Sequence, residues 1–190
     1  SPAQFRRHPR WPDWAAVFDP LRSARIRIMD ASFSPDQVRI VEFPATRVMV
    51  MSHRGDPAGQ PETIGRFIAW RRASHLPPRT NATFNILYGD PDATPPAGFR
   101  LDLCVATGRA FPDAAAHGLE AAVLPAGRCA VLRHVGSDDG LGAAFDFLYG
   151  QWLPASGEEP RDAPLFLQRV AFFPDVPEHE AVLDIFLPLA

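Results

Sequence analysis

The sequence predicts an α+β fold: two tandem strand-helix-strand-strand units in a pseudo-two-fold arrangement, sharing an antiparallel sheet with both helices on one face and a groove between the repeats. Three observations carry this expectation. The pattern Pro-Ala-x-Arg-x-x-Val-x-x-His-x-Gly occurs twice, as Pro44, Ala45, Arg47, Val50, His53, Gly55 and as Pro125, Ala126, Arg128, Val131, His134, Gly136, each pair 81 residues apart. Each copy is followed by a helix-like stretch and two strand-like stretches in the same order. Finally, Leu101-Asp102-Leu103 recurs as Leu183-Asp184-Ile185 at an offset of 82, so the spacing drifts by one residue across the unit.

The elements follow from local pattern. In the first unit (residues 38–107), Val38–Phe43 and Arg47–His53 are β-rich runs on either side of Pro44-Ala45. Residues 61–74 place Ile64, Phe67, Ile68 and Arg71 near helical spacing, and Leu76-Pro77-Pro78 ends that helix. Thr83–Tyr88 is the next strand, Gly89-Asp90-Pro91-Asp92 a turn, and Phe99–Val105 the last strand. The second unit (residues 118–190) repeats the order: Leu119–Leu124, Cys129–His134, a helix over Leu141–Trp152 ended by Pro154, then Leu165–Phe172, a Pro174-Asp175 turn, and Val182–Leu187. The helix-free side of such units, or the groove between helices, is where a ligand would sit. Residues 1–37 lie outside the repeat; Trp11, Trp14 and Phe18 give them an apolar face, and Pro12 and Pro20 limit any helix there to short pieces.

Composition narrows the function classes. The chain has 190 residues and a formal net charge of −3, which argues against nucleic-acid binding by the domain as a whole. Every basic residue is Arg, which fits a GC-rich coding sequence, and Arg6, Arg7 and Arg10 cluster near the start. No apolar run reaches membrane-spanning length, so no membrane partner is expected. Cys104 and Cys129 sit in apolar strand-like runs and read as buried free thiols, consistent with a cytoplasmic protein.

Several motifs resemble the gyrase-inhibitor-like (GyrI-like) effector-binding domains over residues 38–190: His53-Arg54-Gly55, Asp90-Pro91-Asp92-Ala93-Thr94-Pro95, Trp152-Leu153-Pro154 and Asp184-Ile185-Phe186-Leu187-Pro188-Leu189. Ser1-Pro2-Ala3-Gln4-Phe5-Arg6-Arg7 is similar to the end of an AraC-type helix-turn-helix domain. Together the two resemblances imply the small-molecule-sensing domain of an AraC-type transcription regulator, touching DNA only through a helix-turn-helix domain that is not in this chain. A homodimer is left open. The resemblance also keeps two other readings in view: a hydrolase of reactive small molecules, and a gyrase-inhibitor-like protein-binding module. Many family members carry a Glu in a Pro-x-Phe-Glu-x-Tyr strand, where it faces cationic effectors; here the stretch is Pro164-Leu165-Phe166-Leu167-Gln168-Arg169. With Leu167 for the Glu and Arg169 for the Tyr, the resemblance implies a neutral or anionic effector, or lost effector binding.

Aromatic residues are the candidate effector contacts. Alternation puts Phe84, Ile86 and Tyr88 on one face of their strand. Aligning the units on Pro91 and Pro174 matches Phe84 with Leu167 and Ile86 with Arg169, which predicts that these four converge on one groove, walled by Trp70, Tyr149 and Trp152. An Arg at 169 on an apolar strand needs a carboxylate, a ligand or water. His53 and His134 read as strand-end residues bonding beside a Gly turn. The other histidines are scattered, so neither a metal site nor any other cofactor is expected. Asp102 and Asp184 form a symmetric acidic pair to which a structural role is assigned. No catalytic residue is expected.

Overall fold

The structure, a computed structural model, describes residues 33–88, 94–172 and 175–190. The expectations for residues 1–32, for Gly89–Asp92 and for Pro174 lie outside these residues. Eight strands form one antiparallel sheet: β1 (Val38–Phe43), β2 (Thr46–Arg54), β3 (Thr83–Leu87), β4 (Arg100–Ala106), β5 (Leu119–Leu124), β6 (Gly127–Val135), β7 (Leu165–Ala171) and β8 (Val182–Pro188). Their order is β1-β6-β8-β7-β3-β4-β2-β5. Exchanging the strands of one half for those of the other only reverses this order. The register repeats as well: Ser52 lies opposite Asp102 as Arg133 lies opposite Asp184.

The halves meet at β3 and β7, yet they are also interleaved. β1 pairs with β6, and β5 pairs with β2. β1 and β2 are joined only by Pro44-Ala45 although they stand first and seventh in the sheet. In a flat sheet those positions would lie about 29 Å apart, while that link spans at most about 11 Å. Pro125-Ala126 sets the same condition for β5 and β6. The sheet must therefore curl until its edges approach, which makes one face concave.

Cross-strand partners in an antiparallel pair share a face. Met51, Leu103, Asn85, Leu167, Ile185 and Leu132 form one continuous cross-strand row. The first helix, α1 (Gln60–Ala73), covers one end of that face, with Phe67 and Trp70 against Met49, Met51 and Leu103. The second covers the other end, where Leu141, Phe145, Leu148 and Trp152 meet Leu132, Leu167 and Ile185. Both helices thus lie on one face. The opposite, helix-free face holds Phe43, Phe84, Phe166 and Phe186 in one apolar cluster. There Phe166 stacks on Phe186 with centroids 4.8 Å apart, and Phe43 packs edge-on to Phe166 at 4.9 Å. Each such ring pair adds about 1 kcal/mol beyond its buried area.

Two helix expectations need correction. Ile64 and Ile68 face outward at 37% and 43% exposure, while Thr63, Phe67, Trp70 and Arg71 are buried. The helix is rotated because His53 Nδ1 lies 2.9 Å from Thr63 Oγ1, and because Arg71 donates to Leu76 O, Thr83 Oγ1 and Asn81 O. The second helix does not stop at Pro154. It runs as α2 (Leu141–Phe147), a π-helical turn (Leu148–Trp152) and α3 (Leu153–Ser156), and Gly157 ends it at φ 72°. Pro154 is tolerated because it falls in the first turn of α3, after the wider π turn has reset the ladder.

Candidate effector site

A cavity of about 280 Å³ opens on the helix-free face. Val48 and Val50 from β2, Ile86 from β3 and Phe166 from β7 line its apolar part. Its polar end is formed by Tyr88, which follows β3, by Arg100 and Asp102 on β4, and by Glu120 on β5. Asp102 is 1% exposed. Arg100 donates to both of its oxygens, Nε to Oδ1 at 3.0 Å and Nη2 to Oδ2 at 2.6 Å. The Tyr88 hydroxyl donates to Oδ2 at 2.8 Å, and the Arg100 guanidinium carbon lies 3.9 Å from the Tyr88 ring centroid. Burial pushes the Asp102 carboxyl up, but hydrogen bonds from Arg100, Ser52 and Tyr88, with the Arg100 charge, outweigh burial and hold it below its ordinary value. Burial, then the bond to Asp102, pushes the Tyr88 phenol up. The corner is a fully paired carboxylate capped by a cation and an aromatic ring.

The predicted contact residues divide between the two faces. Ile86 and Tyr88 line this cavity, and Phe84 packs in the cluster beside it. Leu167 and Arg169 do not join them, because Leu167 is buried on the helix side with Ile185 and Leu132. The fault is one residue of register. The β7–β8 pairing shifts between Arg169 and Ala171, so a bulge adds a residue to β7. Counting back from Pro174 therefore runs one position long, and a one-residue slip moves a side chain to the other face. The structural counterparts are Phe84 with Phe166 and Ile86 with Gln168, each lying opposite the other's partner. Arg169 meets a carboxylate: its Nη2 lies 2.6 Å from Asp138 Oδ2, and its Nε donates to Asn85 Oδ1 at 2.7 Å. Trp152 is core and Tyr149 packs against the same cluster. Trp70 lines a different, more open cavity of about 590 Å³ beside α1, with Arg66, Phe111 and His117.

Arg100, Asp102, Glu120 and Phe166 were not among the sequence candidates. The spacing of Arg100 and Asp102, two apart on a strand facing Tyr88, was the available signal. The two motif histidines are corners: His53 Nε2 lies 2.9 Å from Asp56 O and His134 Nε2 2.9 Å from Ser137 O. Gly55 and Gly136 follow at φ 102° and 125°, which favour glycine. Among the described residues no cluster of three or more His, Cys, Asp or Glu is arranged to hold a metal. Cys104 and Cys129 are both free and buried, and burial pushes both thiols up.

Residues 36–190 match the family described as the GyrI-like small molecule binding domain. The chain belongs to this GyrI-like family. It is 34% identical over 154 residues to the probable transcriptional regulator YgiV of Escherichia coli (strain K12), covering 80% of this chain and 96% of that one. The EcmrR C-terminal domain has the same fold, with a TM-score of 0.65 at 16% identity, over 81% of this chain and 97% of that domain. EcmrR in a complex with DNA aligns at a TM-score of 0.63 and 15% identity, over 94% of this chain and 65% of that one. A hydrolase from Listeria innocua shares the fold at a TM-score of 0.58 and 8% identity, over 90% of this chain and 98% of that one. The GyrI-like chain is thus a small-molecule-binding domain with relatives named as regulators. No helix among its described residues is long and apolar enough to cross a membrane.

Proposed function

We propose that this GyrI-like domain is the sensor of an AraC-type transcription regulator, and that its effector is an uncharged, largely apolar molecule bound on the helix-free face. The observation that carries the reading is the cavity itself: an apolar floor of Val48, Val50, Ile86 and Phe166, with a polar corner in which Arg100 and Asp102 neutralise each other. A charged effector would have to displace that pairing; an uncharged one keeps it. Occupancy would shift the populations of sheet conformers, and a DNA-binding domain joined to the chain would read that shift. The alignment with EcmrR in its DNA complex supports this arrangement.

Turnover is the weaker reading of this site. The buried Asp102 is held below its ordinary value by Arg100, Ser52 and Tyr88, and to act as a base it would have to give up the partners that keep it ionised.

Ala122 lines the cavity and is exposed on edge strand β5, so Ala122→Trp fills the site without disturbing the core. A thermal-shift screen of uncharged aromatic compounds is expected to find stabilisers of the wild type; at a hundred times Kd the gain is about 2.7 kcal/mol. The same compounds are expected to leave Ala122→Trp unshifted. Stabilisation that survives in that variant would place the ligand elsewhere, and a screen with no stabiliser would count against sensing.

A further inference from the structure

We propose that Arg100 is the cavity's resident cation: it fills the carboxylate-and-ring corner that a ligand's cationic group would otherwise take, and so determines that the site accepts uncharged molecules. This rests on the effector reading above and names the residue that sets its selectivity.

A buried carboxylate beside an aromatic ring is a cation site by its chemistry, because the charge has lost water and the ring face is negative. Here both groups are committed to one guanidinium, which makes two hydrogen bonds to Asp102 and lies over the Tyr88 ring. Arg100 is no buried core residue. Its side chain is 25% exposed while that of Asp102 is 2% exposed, so of these two charges on the cavity wall the cation is the one that meets solvent.

The other half of the sheet shows a different solution to the same problem. Asp184, in the position matching Asp102, is held by Arg133 from the neighbouring strand at 2.7 and 2.8 Å. Arg133 lies directly opposite Asp184, but the residue directly opposite Asp102 is Ser52. The position matching Arg100 is Val182. In the first half the guanidinium therefore comes from the carboxylate's own strand, on the side of the cavity and of Tyr88. Neutralising the carboxylate alone does not require that placement, since Arg133 achieves it from the neighbouring strand. Glu120, also on the cavity wall, adds a second negative charge that acts on Arg100. Removing Arg100 leaves two acids and one arginine, Arg161, around the site.

The test compares two probes of one shape, phenyltrimethylammonium and its uncharged isostere tert-butylbenzene, by titration against the 190-residue chain. The wild type is expected to bind tert-butylbenzene in preference. Arg100→Gln keeps an amide donor for Asp102 and is expected to raise affinity for the cation at least about tenfold relative to the isostere. The double variant with Asp102→Asn is expected to lose that gain. Asp102→Asn alone takes away the carboxylate that Arg100 is bonded to and serves as a second, independent variant; benzoate binding is expected to rise at least about fivefold. Normal tert-butylbenzene binding without a cation gain in Arg100→Gln, or without a benzoate gain in Asp102→Asn, overturns the assignment of Arg100. A cation gain that survives in the double variant overturns it too. Binding of neither probe by any variant brings down the effector reading itself, and this inference with it.

Discussion

Leu167→Glu tests the face assignment on which the site depends. Read from the family pattern, this substitution restores a ligand-facing carboxylate and should be harmless. In the structure it places the carboxylate at a position 2% exposed, packed among Leu132, Ile185 and the second helix. Keeping that carboxyl neutral at pH 7 costs about 1.4 kcal/mol for each of the roughly 2.7 pH units above an ordinary glutamate, just under 4 kcal/mol. Lost leucine burial adds about 2 kcal/mol. Arg169, two residues along on the same face, is already bound to Asp138 and Asn85 and offers partial relief at most. The expected loss is about 4–6 kcal/mol, a large share of the roughly 5–15 kcal/mol that holds a domain together. Urea unfolding at pH 7 and at pH 4.5 measures it. Because the folded-state carboxyl is raised, the penalty is small near pH 4.5 and grows as pH rises, so the loss is expected to shrink to about 2–3 kcal/mol in acid. The neighbouring Gln168→Glu, half-buried on the opposite face, is expected to cost less than about 1 kcal/mol. A Leu167→Glu protein as stable as wild type that binds phenyltrimethylammonium would refute the register argument outright.

Two further outcomes follow from buried charges. Arg71 ties the end of α1 to Leu76 and Asn81 of the following loop and to Thr83 of β3 through three hydrogen bonds of 2.7–3.1 Å. Arg71→Ala leaves those acceptors unpaired and is expected to cost about 3–4 kcal/mol by urea unfolding, with Arg71→Lys intermediate because an ammonium cannot span the same fork. Asp102 has a folded-state value below its ordinary 3.8, so its contribution is fully present above that value and is lost as pH falls through the lower one. Below about pH 4 the wild type is expected to lose stability more steeply than Asp102→Asn; parallel acid titrations would contradict the pairing.

The order of elements was legible because alternation, Pro and Gly are local signals, and the duplicated motif fixed where each half begins. The histidine corners were legible for the same reason. What escaped was set by partners remote in sequence. Nothing in Val38–Phe43 states that it pairs with β6 rather than with β2, which follows it. The extra residue of β7 hides in the apolar run Val170-Ala171-Phe172, where alternation gives no mark, and that one residue turned Leu167 and Arg169 to the wrong face. Ile64 and Ile68 fitted a helical stripe as well as the true one, and only the hydrogen bonds of Thr63 and Arg71 decided between them. Asp102 reads as structural in the sequence, and Arg100 carries no mark there, because their relation to Tyr88 and to the curl of the sheet is tertiary.

The exchange of first strands also governs how the chain can fold. Val38 finds its partner in Leu132, and Leu119 in Met51, so neither half can complete its sheet before the other exists. Closing loops of that length comes late and slowly, and the contacts that reward it arrive together. On a ribosome, β1 must wait unpaired until β6 has emerged. The domain should therefore have no stable half-folded state, and a chain cut between its halves would regain structure only when both pieces are present.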